Sequence, residues 1–187
     1  MQWFNPPDAW SELDGVTRVT TNAATDFWRH THYGFVRDTG HFRFAQANGD
    51  FSAEVQVRGA YTTLYDQAGL MLRNDARHWI KAGVEFADEL MHFCVVVTNV
   101  RSDWSLIPLP DARQDLDLGI QLLRIGRTVS VRYRLNGGQA QLARIADFPY
   151  LETTRIGMMC CSPERAGFEA EFRGFRIGPA VATAENA

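Results

Sequence analysis

Seven side chains in four successive stretches of the sequence have the chemistry to hold a ligand. Gln67 and Arg73 lie in "DQAGLMLRND", Trp79, Lys81 and Glu85 in "WIKAGVEF", and His92 and Trp104 follow in "LMHFCVVVTN" and "SDWS". Each of the first two stretches alternates. Ala68, Leu70 and Leu72 fall on one side and Gln67, Met71 and Arg73 on the other. In the next, Ile80, Ala82, Val84 and Phe86 oppose Trp79, Lys81 and Glu85. Alternation of period two is the mark of a half-buried strand. A solvated face needs only Ser, Thr and scattered charge, so an amide, a guanidinium, an indole, an ammonium and a carboxylate together suggest a binding floor. An indole offers a flat apolar platform for a sugar ring or for the Arg73 guanidinium. A carboxylate held between an amide and an imidazole accepts hydrogen bonds from hydroxyls. The plain alternative is that Gln67, Glu85 and His92 satisfy one another on a face that binds only water.

The elements that must position these groups follow from the turns. With "NDARH" and "ADEL" (87–90) as turns, Arg73 lies opposite Trp79, Met71 opposite Lys81 and Gln67 opposite Glu85. Glu85 then lies opposite His92, Gly83 opposite Cys94 and Trp79 opposite Thr98. The same register sets Phe86 beside Met91 and Val84 beside Phe93, so both faces specify one pairing. Gly69 falls opposite Gly83. The expectation is an open depression floored by Gly69, Gly83 and Cys94. Its walls are Met71 and Lys81 on one side and Gln67, Glu85 and His92 on the other. In that case Gly83→Val abolishes binding and spares the fold. The alternative is that the glycines relieve strain, or that Trp28 or Trp104 lies flat across them.

Alternation with turn punctuation recurs through the whole chain. "FSAEVQVRG" turns Phe51, Ala53, Val55 and Val57 inward, "LMHFCVVVTN" Met91, Phe93, Val95 and Val97, and "RTVSVRYRL" Val129, Val131 and Tyr133. Asn48-Gly49 reads as a turn, Asn136-Gly137 as a hairpin, and Gly174 as a bulge that shifts parity. Ten or more short strands predict an all-β fold, either a two-sheet antiparallel sandwich or a closed barrel. A turn of helix is expected only near Asp8–Leu13 or in "TDFWRHTH", and "SDWS" reads as a loop whose Trp104 plugs the sandwich or rims a pocket. One unit over 1–178 is expected, with 179–187 as a frayed tail.

Composition narrows the partners. The 187 residues carry 19 basic and 22 acidic side chains, a net charge of −3, with no run of like charge. A nucleic acid or an anionic membrane requires a basic footprint, so neither is expected. No apolar run approaches the roughly 20 residues of a membrane span. Cys94, Cys160 and Cys161 lack both metal-ligand and framework spacing, which reads as reduced thiols in a cytoplasmic protein. His30 and His32 alternate as a chelating pair would, but no third ligand suggests itself, and packing beside Trp28 is the simpler role. No phosphate loop, dinucleotide turn or Ser-His-Asp pattern is present, so neither a cofactor nor a metal is expected.

Six ordered motifs carry a resemblance: "WFNPPDAW", "TDFWRHTHYGF", "DTGHF", "YDQAGLMLRND", "WIKAGVEF" and "SDWS". Together, over about residues 1–178, they resemble the family of unknown function labelled "regulation of enolase protein", which has a concanavalin A-like fold. Pro7 departs from the acidic residue the pattern has near Asn5-Pro6. The core motif is also similar to the accessory β-sandwich domain of some family 43 glycoside hydrolases, which helps to shape a sugar pocket. The resemblance implies a jelly roll with any ligand on its concave sheet. It implies no reaction.

Three functions are therefore weighed. The first is a non-catalytic module binding a small polyhydroxylated, carbohydrate-like ligand through Gln67, Arg73, Trp79, Lys81, Glu85, His92 and Trp104. The second is a regulatory module that contacts a metabolic enzyme. The third is a glycosidase-like hydrolase pairing Glu85 with Glu54 or Asp66. With Glu54 on a strand two away from that of Glu85, the backbones are expected about 9.6 Å apart, at the wide edge of the separation an inverting pair needs.

Overall fold

The computed structural model describes residues 1–180. Sixteen strands form it, and among the described residues there is no helix. The first sheet runs in the order β1 (Gln2–Phe4), β6 (His41–Asn48), β15 (Thr153–Cys161), β8 (Gln67–Arg73), β9 (His78–Ala87), β10 (Leu90–Asn99) and β11 (Arg101–Pro108). The second runs β14 (Gln141–Asp147), β13 (Thr128–Leu135), β12 (Leu118–Ile125), β7 (Phe51–Gly59), β16 (Glu169–Pro179), β3 (Val16–Thr20) and β2 (Ala9–Leu13). A separate hairpin pairs β4 (Phe27–Arg29) with β5 (Val36–Asp38). All pairings in the two large sheets are antiparallel, as a jelly-roll sandwich requires.

Between the sheets the alternating residues interdigitate. Val55, Val57, Ile120, Leu122 and Val131 of the second sheet meet Leu70, Leu72, Val84, Phe93 and Val95 of the first in one buried cluster. The expected register is observed throughout the centre: Gln67↔Glu85, Gly69↔Gly83, Met71↔Lys81 and Arg73↔Trp79, with Glu85↔His92, Gly83↔Cys94 and Trp79↔Thr98. Asp88 and Glu89 form the β9–β10 turn with φ of 50° and 61°, the left-handed pair that a two-residue hairpin demands. Asn136 (49°) and Gly137 (73°) make a left-handed turn after β13, closed by the Gly138 N–H on Leu135 O, within a longer β13–β14 connection. Gly174, at φ 60°, marks the register shift between Arg173 and Arg176.

Several sequence expectations are corrected. Residues 9–13 and 27–29 are strands rather than helical turns, because β2 pairs with β3 and β4 with β5. "SDWS" is part of edge strand β11, paired residue by residue with β10. Asn48-Gly49 does turn, but it carries the chain from the first sheet to the second. Glu54, on β7, therefore belongs to the opposite sheet from Glu85, faces out, and pairs with Arg176. His30 and His32 both have φ of 62° in a tight turn, not an extended chelating strand. Gly178 and Pro179 continue β16 against Ser52 and Phe51; the rest of the predicted tail, from 181 on, lies outside the described residues.

The largest departure concerns the outer face of the first sheet. Segment 21–40 folds back over it, and a second buried cluster forms there from Phe27, Trp28, Phe42, Met71, Trp79, Cys94, Val96, Met159 and Cys161. Strand β8 is consequently buried at every position, on both faces.

Candidate functional site

The cover is clamped in place. Both guanidinium nitrogens of Arg73 donate to the two oxygens of Asp38 at 2.8 Å, a bidentate fork that ties β8 to the end of β5. The guanidinium also lies over Phe4, 4.6 Å from its ring centre, and over Phe27. Arg29 holds the other end, its backbone N–H donating to Ser102 Oγ at 2.9 Å and its Nε–H to Val100 O at 3.2 Å. Arg73 is thus a buried anchor rather than a ligand group. Trp79 is corrected in the same way: it is 0% exposed, tilted against Phe27, and no platform. His92 turns away, its Nδ1 bonded to Leu90 O at 3.1 Å.

Between the cover and the sheet a cavity of about 300 Å³ remains. Gln67, Lys81 and Glu85 form its floor and Trp104 part of its wall, so four of the seven predicted residues converge there. Five aromatic rings bound it: Trp28, Tyr33 and Phe35 from the cover, Tyr65 from the turn preceding β8, and Trp104 from β11. Asp26 joins the floor, and Arg37 and Glu164 reach the rim. Trp28 packs edge-on against both Tyr33 and Trp104, with ring centres 5.5 and 6.1 Å apart. Trp104 keeps 36% of its surface exposed.

Lys81 organises the floor. Its ammonium donates to Gln67 Oε1 at 2.5 Å and to Asp26 Oδ1 at 3.4 Å. Burial pulls its pKa down, but the Asp26 and Glu85 charges outweigh that and raise it, so the group is a fixed cation. Glu85 moves the other way from an exposed acid. Burial raises its pKa above the ordinary carboxylate value, and Asp26 adds to the rise against the opposing pull of Lys81. The Cys94 thiol donates to Glu85 Oε2 at 3.4 Å. Asp26 Oδ1 is held by the Phe27 N–H at 2.7 Å, and Oδ2 takes no donor among the described residues. The Tyr65 hydroxyl, set beside that of Tyr33 and partly desolvated, is pushed up to about 12 and stays neutral.

The glycine-floored depression is corrected too. Above Gly83 and Cys94 only about 10 Å³ is left, room for one water at most. Glycine is required there because the backbones of β8 and β9 nearly touch. A Cβ on Gly83 would stand 2.7 Å from Gly69 Cα and closer still to the Ala68 carbonyl oxygen. Asp66 is no partner for catalysis either. It is fully buried and engaged by Arg165, Ser162 Oγ and the Thr62 and Thr63 N–H groups.

Sequence reading missed Asp26, Tyr33 and Phe35, which come from a segment distant from β8 and β9 in the chain; Trp28 was weighed only as a ring lying across the glycines. One signal was present: Lys81 is the only lysine among 19 basic residues. Elsewhere the chain uses arginine, and the single compact ammonium is the one placed at the floor.

The model for "Protein of unknown function (DUF1349)" matches residues 3–180. The chain belongs to the DUF1349 family. This DUF1349 chain is 37% identical over 170 residues to "Regulation of enolase protein 1" of Saccharomyces cerevisiae, covering 91% of this chain and 85% of that one. A crystal structure of a functionally unknown S. cerevisiae protein superposes with a TM-score of 0.92 at 34% identity, covering 97% of each chain. At the level of fold alone, the DUF1349 chain resembles part of a xylan β-1,4-xylosidase from Bacillus halodurans C-125. There the TM-score is 0.67 at 14% identity, over 91% of this chain and 38% of that one. The carbohydrate-binding module CBM66 of Bacillus subtilis has a TM-score of 0.58 at 13% identity, covering 94% of each.

Proposed function

We propose that this protein is a non-catalytic module that binds a small polyhydroxylated ligand, carbohydrate-like in class, in the cavity over Lys81 and Glu85. The observation that carries the reading is a floor of one cation and two carboxylates ringed by five aromatic side chains. Such a site offers apolar faces for C–H surfaces and directional donors and acceptors for hydroxyls. Asp26 and Glu85 accept, Lys81 and Tyr65 donate, and neighbouring hydroxyls of one ring match that alternation. A cavity of about 300 Å³ sits at the small end of ligand sites. Its carboxylates flank a bound ammonium instead of facing each other across a free gap, which favours binding over acid–base hydrolysis.

The test is titration calorimetry against monosaccharides and short oligosaccharides, followed in parallel by the fluorescence of Trp28 and Trp104. Saturable binding that Glu85→Gln and Trp104→Ala remove supports the reading. A panel of neutral sugars and polyols that gives no heat and no fluorescence change sinks it.

A second reading, a regulatory contact with a metabolic enzyme, is favoured by the name of the yeast relative. Co-purification of a glycolytic enzyme with the intact chain, and its loss on surface rather than pocket substitution, would select it.

A further inference from the structure

The outer face of the second sheet carries a ladder of arginines that the cavity does not involve. Read across the strands, one row is Arg132, Gln121, Glu54, Arg176; the next is Arg134, Gly119, Gln56, Arg173; a third is Arg58, Glu171, Arg18. The inward neighbours Val55, Val57, Ile120, Val131 and Phe172 are buried in the core, so these side chains all point outward. Six guanidiniums thus share one face with Glu54, Glu169 and Glu171, and Asp117 reaches in to Arg58 at 3.3 Å. The chain as a whole is acidic, at −3, so the positive face is local.

The carboxylates are spent at one side. Glu171 serves both Arg18 and Arg173, and Glu54 serves Arg176. Among the described residues, Arg132 and Arg134 form no ion pair. The Nε–H groups of Arg58, Arg132 and Arg173 are buried against the sheet, so the terminal guanidinium nitrogens are the donors these side chains turn outward.

A depression of about 470 Å³ opens beside them, lined by Gln56, Gly119, Gln121, Arg132, Arg134 and Arg176. Gly119 makes the hole, and packing does not require it. A Cβ there would meet nothing nearer than Arg134 Cβ at 3.6 Å, unlike Gly69 and Gly83, whose neighbours forbid one. A strand glycine with space above it fits a position where another backbone comes close. Next to Arg132, on edge strand β14, Leu142 is 48% exposed, and Ile145 further along is 62% exposed.

We infer that this face docks an acidic segment of a partner protein. Its carboxylates would pair with Arg132 and Arg134 over Gly119, and an apolar side chain would rest on Leu142 and Ile145. The inference does not rest on the cavity reading. A nucleic-acid backbone fits less well. The interleaved Glu54 and Glu171 would repel continuous phosphates, and the apolar edge gives them nothing to contact.

The experiment is fluorescence anisotropy of the intact chain with a labelled Asp/Glu-rich peptide carrying one terminal Leu. Its Asn/Gln counterpart and a labelled DNA duplex run alongside. The acidic peptide should bind and weaken with added salt. Arg132→Gln/Arg134→Gln should lose roughly tenfold in affinity, and Gly119→Leu should lose a similar amount at unchanged melting temperature. Arg77→Gln/Arg101→Gln, in the β8–β9 turn and on β11 of the other sheet, should bind as the parent does. The inference is overturned if the acidic peptide fails to bind, if the neutral peptide or DNA binds as well, or if the double variant binds unchanged.

Discussion

Lys81 and Gln67, on adjacent strands β9 and β8, are joined by a 2.5 Å hydrogen bond beneath a folded-over hairpin. The diagonal contact places the chain's only lysine ammonium between the Asp26 and Glu85 carboxylates, and most of the expected behaviour of the site follows from that position.

Removing the cation strands two carboxylates in a dry place. Lys81→Met should destabilise the fold by about 3 kcal/mol, the usual cost of breaking a buried charge pair from one side. Lys81→Met/Glu85→Gln should recover part of the loss. Urea unfolding of the three proteins checks this; an additive double variant contradicts it.

Glu85 should leave a pH signature. Its folded pKa is raised, so the folded state holds that proton more firmly than the unfolded chain does. The resulting stability is present below the unfolded value and is lost as pH rises through the folded one. Melting temperature between pH 4 and 8 should therefore fall more with rising pH in the parent than in Glu85→Gln. Ligand binding that uses the carboxylate as acceptor should strengthen over the same rise.

The Arg73–Asp38 fork should control entry to the cavity. Asp38→Asn leaves a buried guanidinium with weakened partners and loosens β5. Hydrogen exchange should then quicken at the His30 and Gly34 amides, which are bonded within the cover. Lys81, the single lysine, gives a second readout through amine acylation followed by peptide mapping. It should be protected in the parent and modified faster in Asp38→Asn, with the strands of the second sheet unchanged.

Gly83→Ala should not yield a folded but ligand-blind protein. Its Cβ would press on the Ala68 carbonyl and on Gly69 Cα, both backbone, and backbone has little room to yield. Loss of soluble protein, or a melting temperature lowered by many degrees, is expected. Gly119→Ala, with open space above it, should cost nothing comparable.

The legible part of this molecule was the part encoded by neighbours in sequence. Two faces of β8, β9 and β10 had to agree on one register, and a slip of one residue would have turned Glu85 into the core and Val84 out. The register of Gln67, Gly69, Lys81, Glu85 and Cys94 was therefore fixed by alternation and turn length. So were the all-β sandwich, the Asn136-Gly137 hairpin and the Gly174 bulge.

What alternation cannot carry is which strand lies beside a distant one, and what covers a face. Glu54 has the pattern of a strand near Glu85, yet the Asn48-Gly49 turn sends β7 into the opposite sheet. Trp79, Arg73 and Met71 alternate outward as the binding residues do. Their fate was decided by residues 21–40, more than thirty positions earlier, which close over that end of the sheet and make it core. The same segment stops short over Lys81 and Glu85, bringing Asp26, Trp28, Tyr33 and Phe35 to the edge of a cavity. Outward direction is a local property of the backbone. Exposure depends on a long-range packing contact, here fixed by one bidentate ion pair between Arg73 and Asp38.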